Sequence, residues 1–256
     1  LNMKKLSNTI TLITGATSGI GAATAKLFSK NGSKLILCGR RKKVLDEMKK
    51  NLKSEVHTLC FDVSNKDQVE KKLNSIPDSF KPIDFLINNA GNAHGLDNVI
   101  DAELNDWDKM IDTNLKGLIY VTKFLIPNFI KQKKGTIINL GSIAGLEVYP
   151  KGSVYCASKH GVDAFSKGLR IDLNSLGIRV GTINPGMVNT EFSKIRFKGD
   201  LKKAKEVYRG IKPLEAIDIA ETILFMITAP MHVTISDITI LPTAQANSTT
   251  VNRKLI

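Results

Sequence analysis

Tyr155 and Lys159 bracket the segment Tyr155-Cys156-Ala157-Ser158-Lys159. On a helix, residues four apart share one face about one turn apart. A free phenol has a pKa of about 10, so only about one in a thousand is ionised at neutral pH. A neighbouring ammonium favours the phenolate, and a shift of roughly 2–3 units corresponds to about 3–4 kcal/mol. Such a pair is suited to handing a proton to a carbonyl oxygen, or to taking one from a hydroxyl. Ser142 lies thirteen residues before Tyr155 and carries a hydroxyl, a group able to donate to an oxygen on which charge develops. Carbonyl reduction also needs a hydride, which no side chain supplies, so a bound cofactor is required.

These residues need elements to hold them. Apolar runs at Thr9–Ile13, Lys34–Cys38, Val56–Phe61, Ile83–Ile87, Thr136–Leu140, Ile178–Ile183 and Asp237–Leu241 read as strands. Helical patterns separate them, including a long one from about Val154 to Leu176 and one carrying Asn114. Strands that are apolar throughout, with helices between, imply a parallel sheet covered on both faces. The expected fold is α/β: a Rossmann-like, doubly wound, seven-stranded parallel sheet in a single domain over residues 3–256. Its ligands bind at the C-terminal ends of the strands. The first strand ends in Thr14-Gly-Ala-Thr-Ser-Gly-Ile-Gly21. Glycines between a strand and a helix let a pyrophosphate approach the backbone and the free N–H groups of the helix start.

The spacing Thr-Gly-x-x-x-Gly-x-Gly, with Ser142, Tyr155 and Lys159 in order after it, resembles the short-chain dehydrogenase/reductase family. The likeness runs from about Thr9 to Gln245. It implies a catalytic group of Asn114, Ser142, Tyr155 and Lys159, with Asn114 positioning a water that relays protons and Lys159 also holding the nicotinamide ribose. It implies a cofactor cradle of Gly15, Thr17, Ser18, Gly19, Ile20 and Gly21. Asp62 and Val63 would meet the adenine, and Asn89, Ala90 and Gly91 its ribose. From the residues alone, asparagines at a strand end could equally be structural, since buried polar groups need partners. Pro185, Gly186, Val188 and Thr190 would line the nicotinamide.

The second strand ends Leu37-Cys38-Gly39-Arg40-Arg41, with no carboxylate to bind a ribose 2′-hydroxyl. An arginine fork suits a phosphate instead, and in the family an arginine here accompanies NADP. The expected cofactor is therefore NADP, read by Arg40 with help from Arg41.

In this family Glu191–Gly210 would form a flap over the substrate. Lys194, Arg196 and Lys198 give it positive charge. Arg196 can clamp a carboxylate through two parallel bonds, which makes it, with Ser142 and Tyr155, the expected substrate-binding set. A solvated basic loop is the alternative. Thr190-Glu-Phe-Ser193, Arg196-Phe-Lys-Gly-Asp200 and Leu-Pro-Thr-Ala-Gln245 are similar to the NADP-dependent 3-hydroxy acid dehydrogenases, implying a substrate such as serine or L-allo-threonine. A general carbonyl reductase of ketones, diketones or aldehydes is the competing expectation, and a non-catalytic NADPH sensor a remote one.

The chain has 256 residues and a formal charge of +13. The lysines are scattered in pairs such as Lys42-Lys43 and Lys202-Lys203, which reads as a solvated surface rather than a nucleic-acid face. No apolar run approaches the roughly 20 residues of a membrane span. The three cysteines match no zinc spacing, and no metal is expected. Leu1 and Asn2 read as a vector-derived remnant before Met3. A cytoplasmic enzyme is expected and, by resemblance, a homotetramer. Ala157, Gly161 and Ala164 offer close helix packing, against a partner or against the sheet.

Overall fold

The computed structural model describes residues 6–254, so the reading of Leu1 and Asn2 lies outside the described residues. Strand and helix alternate from the start. β1 (Ile10–Thr14) is followed by α1 (Gly19–Lys30), β2 (Lys34–Gly39), α2 (Lys42–Asn51), β3 (Val56–Cys60) and α3 (Lys66–Asn74). Then come β4 (Phe85–Asn88), α4 (Leu104–Ile111), α5 (Leu118–Gln132), β5 (Gly135–Leu140), α6 (Ser153–Leu173) and β6 (Ile178–Pro185). The remainder is β7 (Val188–Asn189), α7 (Phe192–Arg196), α8 (Leu201–Glu206), β8 (Leu214–Glu215), α9 (Ala216–Thr228) and β9 (Asp237–Ile240).

Seven strands form one sheet in the order β3-β2-β1-β4-β5-β6-β9, and every pairing in it is parallel. The order reverses between β1 and β4, where the loops diverge and leave a crevice. Successive side chains of a strand point to opposite faces. Leu12, Ile36, Leu86 and Ile137 pack with Val69, Val121, Phe129 and Leu169 on one face. Ile13, Leu35, Leu37 and Ile138 pack with Ala25, Phe28, Ile219 and Ile223 on the other. Each such side chain contributes about 1.5–3 kcal/mol when fully buried.

A chain of buried polar groups crosses this core. Asn88 Nδ2 donates to Thr122 Oγ1 (2.8 Å) and to Asn139 Oδ1 (2.9 Å). Asn139 Nδ2 in turn donates to Ser166 Oγ (2.8 Å) on α6. Asn88 is thereby committed to the core, the structural one of its two sequence readings.

Four local features depart from the sequence reading. The fourth strand begins at Phe85 rather than Ile83, because the Ile83 backbone is taken by Asn128, which accepts from its N–H (3.1 Å) and donates to its carbonyl (2.9 Å). The helix expected around Asn114 is a π-turn, Asp112–Gly117, joining α4 to α5. Its i→i+5 pattern is rare and occurs mostly as single turns at functional sites. The long helix stops at Leu173, and a 3₁₀ turn to Leu176 ends at Gly177 with φ 69°. An unexpected second sheet pairs β7 with β8, Val188 opposite Leu214 and Asn189 opposite Glu215. It closes the base of the excursion that carries α7 and α8.

Candidate active site

The C-terminal ends of the strands open into one groove of about 600 Å³. Gly15, Thr17, Ser18, Gly19 and Ile20 line it, as do Arg40, Arg41, Asp62, Val63, Asn89, Ala90 and Gly91. Ser142, Tyr155, Lys159, Pro185, Gly186, Val188 and Thr190 line it as well, whereas Asn114 and Arg196 do not. Gly21 is set back from it. A Cβ there would sit 2.4 Å from the Gly15 carbonyl oxygen, so this glycine serves the packing of α1 against β1. Gly15 has φ +63°, and a Cβ on it would meet the Asn89 amide nitrogen at 2.8 Å. Asn89 holds the turn from behind, donating to the carbonyls of Thr14 (2.9 Å) and Gly15 (3.1 Å). Thr14 Oγ1 accepts from the backbone N–H groups of Asn89 and Ala90, both at 3.0 Å. A backbone cradle with a glycine at each end of its bend, Gly15 and Gly19, and a helix start behind it fits a dinucleotide pyrophosphate.

At the far end of the groove both arginines are already paired. Arg40 donates to Asp62 Oδ2 (3.2 Å). Arg41 donates to the Thr17 carbonyl (2.9 Å) and to Glu191 Oε2 (3.1 Å). Burial alone would raise the Asp62 carboxyl, but hydrogen bonds from Ser64 and the charge and bond of Arg40 outweigh it and hold it below the usual carboxylate range. The space beside Gly39 is filled by Thr17, whose methyl would be 2.9 Å from a Cβ there.

Ser142 follows β5, and Tyr155 and Lys159 share a face of α6. Ser142 N–H donates to Asn184 Oδ1 (3.2 Å), and its hydroxyl accepts from Ala144 N–H (3.1 Å). Lys159 Nζ donates to the Leu140 carbonyl (2.8 Å). Burial pushes the Lys159 ammonium down to about 8. Burial pushes the Tyr155 phenol up, and neighbouring Tyr149 adds to this. Arg196 and a hydrogen bond with Ser142 pull in the opposite direction without prevailing. Arg196 thus adds a second cation that favours the phenolate, beside the Lys159 expected from the sequence.

Asn114 is buried in the π-turn. Its amide oxygen accepts from Asn92 N–H (2.8 Å), and its nitrogen donates to the Asn92 carbonyl (2.9 Å) and Ser158 Oγ (3.1 Å). It therefore ties the loop after β4 to α6. Asn114 Oδ1 and Lys159 Nζ both face Gly91, at 3.3 and 3.6 Å from the position a Cβ would take.

Arg196 turns inward from the end of α7. Its guanidinium carbon lies 5.1 Å from the Tyr155 ring centroid, 5.5 Å from that of Phe192 and 5.6 Å from that of Tyr149. It donates to the Tyr149 hydroxyl. Its Nε is buried and has no partner among the described residues. Aromatic faces attract a guanidinium by roughly 0.5–2 kcal/mol each, so the three rings hold it at the mouth of a pocket shared with Tyr155, His94 and Trp107. Lys198 lies in the same flap but is paired with Asp106 (2.7 Å).

The segment ending at Tyr149 reads from the sequence as flanking the pocket, and Phe192 and Gln245 lie in the motifs Thr190–Ser193 and Leu241–Gln245, but nothing in the sequence assigns a role to any of the three. Tyr149 and Phe192 pack on Arg196. The Gln245 side-chain oxygen accepts from Met187 N–H (2.9 Å) and so props the turn after β6.

A doubly wound sheet with a glycine cradle and a Ser, Tyr and Lys group at its strand ends defines a dinucleotide-dependent oxidoreductase. The chain belongs to the short chain dehydrogenase family, whose model matches residues 9–200. It is 43% identical over 241 residues to serine 3-dehydrogenase of Agrobacterium fabrum, covering 94% of this chain and 96% of that protein. It is also 43% identical to the NADP-dependent 3-hydroxy acid dehydrogenase YdfG of Salmonella typhi, over 93% of this chain and 96% of that one. Among solved structures, the closed form of a serine dehydrogenase complexed with NADP+ superposes with a TM-score of 0.90 at 40% identity, covering 96% of this chain and 100% of that one.

Proposed function

We propose that this chain is an NADP(H)-dependent oxidoreductase that interconverts a 3-hydroxy acid, such as serine or L-allo-threonine, with the corresponding 3-oxo acid. The observation that carries the substrate class is Arg196. A guanidinium with a buried, unpartnered Nε stands beside the proton donor Tyr155, where it would clamp a carboxylate next to the reacting carbon. The named activities of the similar proteins support the same reading. NADP is supported by two arginines at the end of β2, placed to exchange Asp62 and Glu191 for a 2′-phosphate.

The cofactor, when bound, supplies or accepts the hydride. Tyr155, which burial keeps protonated at neutral pH, donates the proton to the carbonyl oxygen and takes it back in oxidation. Ser142 hydrogen-bonds that oxygen. Lys159, with a pKa of about 8, passes protons on from Tyr155. Asn114 fixes the loop and helix that frame Lys159. The test is a kinetic panel: serine and allo-threonine with NADP+, against diketones and aldehydes with NADPH. Turnover of the second group alone would replace the 3-hydroxy acid reading by that of a general carbonyl reductase.

Among the described residues no helix is long and apolar enough to cross a membrane. We propose a cytoplasmic homotetramer; its self-association is supported by exposed apolar side chains on α4, α6 and α9, namely Leu104, Ile171 and Phe225. Nucleic acid is not among the proposed partners.

A further inference from the structure

We propose that Asp106 and Lys198 form a latch that holds the flap closed and so sets the position of Arg196, which makes Asp106 a positioning residue for the reaction. This inference rests on the reading of Arg196 as the carboxylate anchor.

Asp106 lies on α4, outside the catalytic group, and no step of the reaction uses it. Its carboxylate side chain is only 9% exposed. A carboxylate so enclosed is costly unless it is paired. Lys109 on the same helix is a distant partner at 3.8 Å. Lys198 on the flap is the close one at 2.7 Å. Moving the flap away would therefore leave a buried charge with its weaker partner alone.

A second tie lies beside the first. The N–H of Gly95, in the loop after β4, donates to the Arg196 carbonyl (2.9 Å). Arg196 and Lys198 are thus both fastened across the cleft to the body of the protein. The turn between them is fixed locally. Lys198 has φ 51° and Gly199 φ 93°, and the N–H groups of Lys198 and Gly199 donate back to the carbonyls of Ile195 (3.1 Å) and Lys194 (2.9 Å), a left-handed cap on α7. The base of the flap is fixed by the pairing of β7 with β8. The latch therefore acts at the free side of an element hinged at its base. It preorganises Arg196 before substrate arrives, which affects substrate binding more than the chemical step.

The test uses the full-length protein with Lys198→Met, Asp106→Asn and Lys198→Arg. Hydrogen–deuterium exchange of the amides between residues 195 and 200 is measured without cofactor, and steady-state kinetics with a 3-hydroxy acid. Lys198→Met and Asp106→Asn should speed flap exchange by roughly fivefold or more. They should raise KM for the hydroxy acid by roughly five- to tenfold, with kcat and the Kd for NADPH within about twofold. Lys198→Arg should restore both readouts. Unchanged flap exchange in Lys198→Met overturns the latch. Equal losses in Lys198→Met and Lys198→Arg overturn the charge pairing behind it. Unchanged KM in Arg196→Ala overturns the anchor reading instead, and flap exchange in Lys198→Met still decides the latch.

Discussion

The Arg196 guanidinium carbon lies 5.1 Å from the ring centroid of Tyr155, so the group that would hold the substrate's carboxylate also acts on the group that moves the proton. Its charge lowers the cost of ionising the phenol, against burial that raises it. Anchor and acid are coupled through one side chain.

Arg196→Ala should therefore do two things. KM for 3-hydroxy acids should rise by roughly 10–100-fold, the range expected for charge-assisted bonds worth about 1.5–3 kcal/mol. The pH needed for alcohol oxidation should also move upward, since a cation that favours the phenolate has gone. Arg196→Lys should recover only part of the binding, because an ammonium cannot make two parallel bonds. Initial rates across pH, with a hydroxy acid and an uncharged alcohol, separate the two effects.

Tyr155→Phe removes the proton donor and keeps the ring that Arg196 packs on. A loss in kcat of roughly 10²–10⁴ is expected for a missing general acid. NADPH affinity, read by fluorescence titration, should stay within about twofold. Wild-type turnover in this variant would remove Tyr155 from its role.

Burial sets the pH response through Lys159. Its folded pKa, about 8, lies below the ordinary value of 10.5. In oxidation the proton must leave through this pair, so kcat/KM should rise with pH through about 8. In reduction the pair must be protonated, and kcat/KM should fall over the same range. Stability carries the matching sign. The unfolded chain retains the Lys159 proton above the folded pKa, so this residue's contribution grows from about pH 8 to 10.5 and is lost as pH falls through about 8. Lys159→Met should flatten both kinetic limbs.

Cofactor choice depends on competition at the arginines. Arg40→Ala should cut the preference for NADPH over NADH by roughly tenfold or more. Glu191→Gln should strengthen NADPH binding slightly and leave NADH binding unchanged, because it frees Arg41 from the bond at 3.1 Å. That pair is half exposed and worth at most about 1 kcal/mol, so a few-fold change in Kd is the expected scale. Equal Kd values for the two cofactors in the wild type would defeat the NADP assignment.

Gly21→Ala places a methyl 2.4 Å from the Gly15 carbonyl oxygen. Backbone cannot yield there as a side-chain tip would. Overpacking of this kind costs about 1–3 kcal/mol, and a Tm fall of roughly 2–4 °C per kcal/mol is expected at this chain length. The cradle would distort with it, so NADPH affinity should drop in the same variant.

The parts legible in the sequence were those that local pattern encodes. Buried parallel strands read as unbroken apolar runs, glycine spacing marked the cradle, and Tyr155 and Lys159 marked one helical face. What escaped depends on partners far along the chain. The π-turn at Asn114 follows from that side chain reaching Asn92 and Ser158. The roles of Tyr149 and Phe192, though not their nearness to the pocket, depend on Arg196 folding in between them. Arg41 read as a free phosphate ligand, yet it bridges Thr17 and Glu191, the latter 150 positions away. The strand placed at Ile83 was displaced by Asn128, forty-five residues later.

The pairing of Val188 with Leu214 and of Asn189 with Glu215 makes residues 190–213 a cassette clipped shut at its neck. Backbone pairing at the clip separates the cassette from the sheet, and its ties to the body include Arg196, Lys198 and Glu191. A graft across this neck carries Arg196 with it, so another substrate preference keeps the proton chemistry intact only where a cation still faces Tyr155. The neck is the natural splice point for transplanting another substrate preference onto this scaffold.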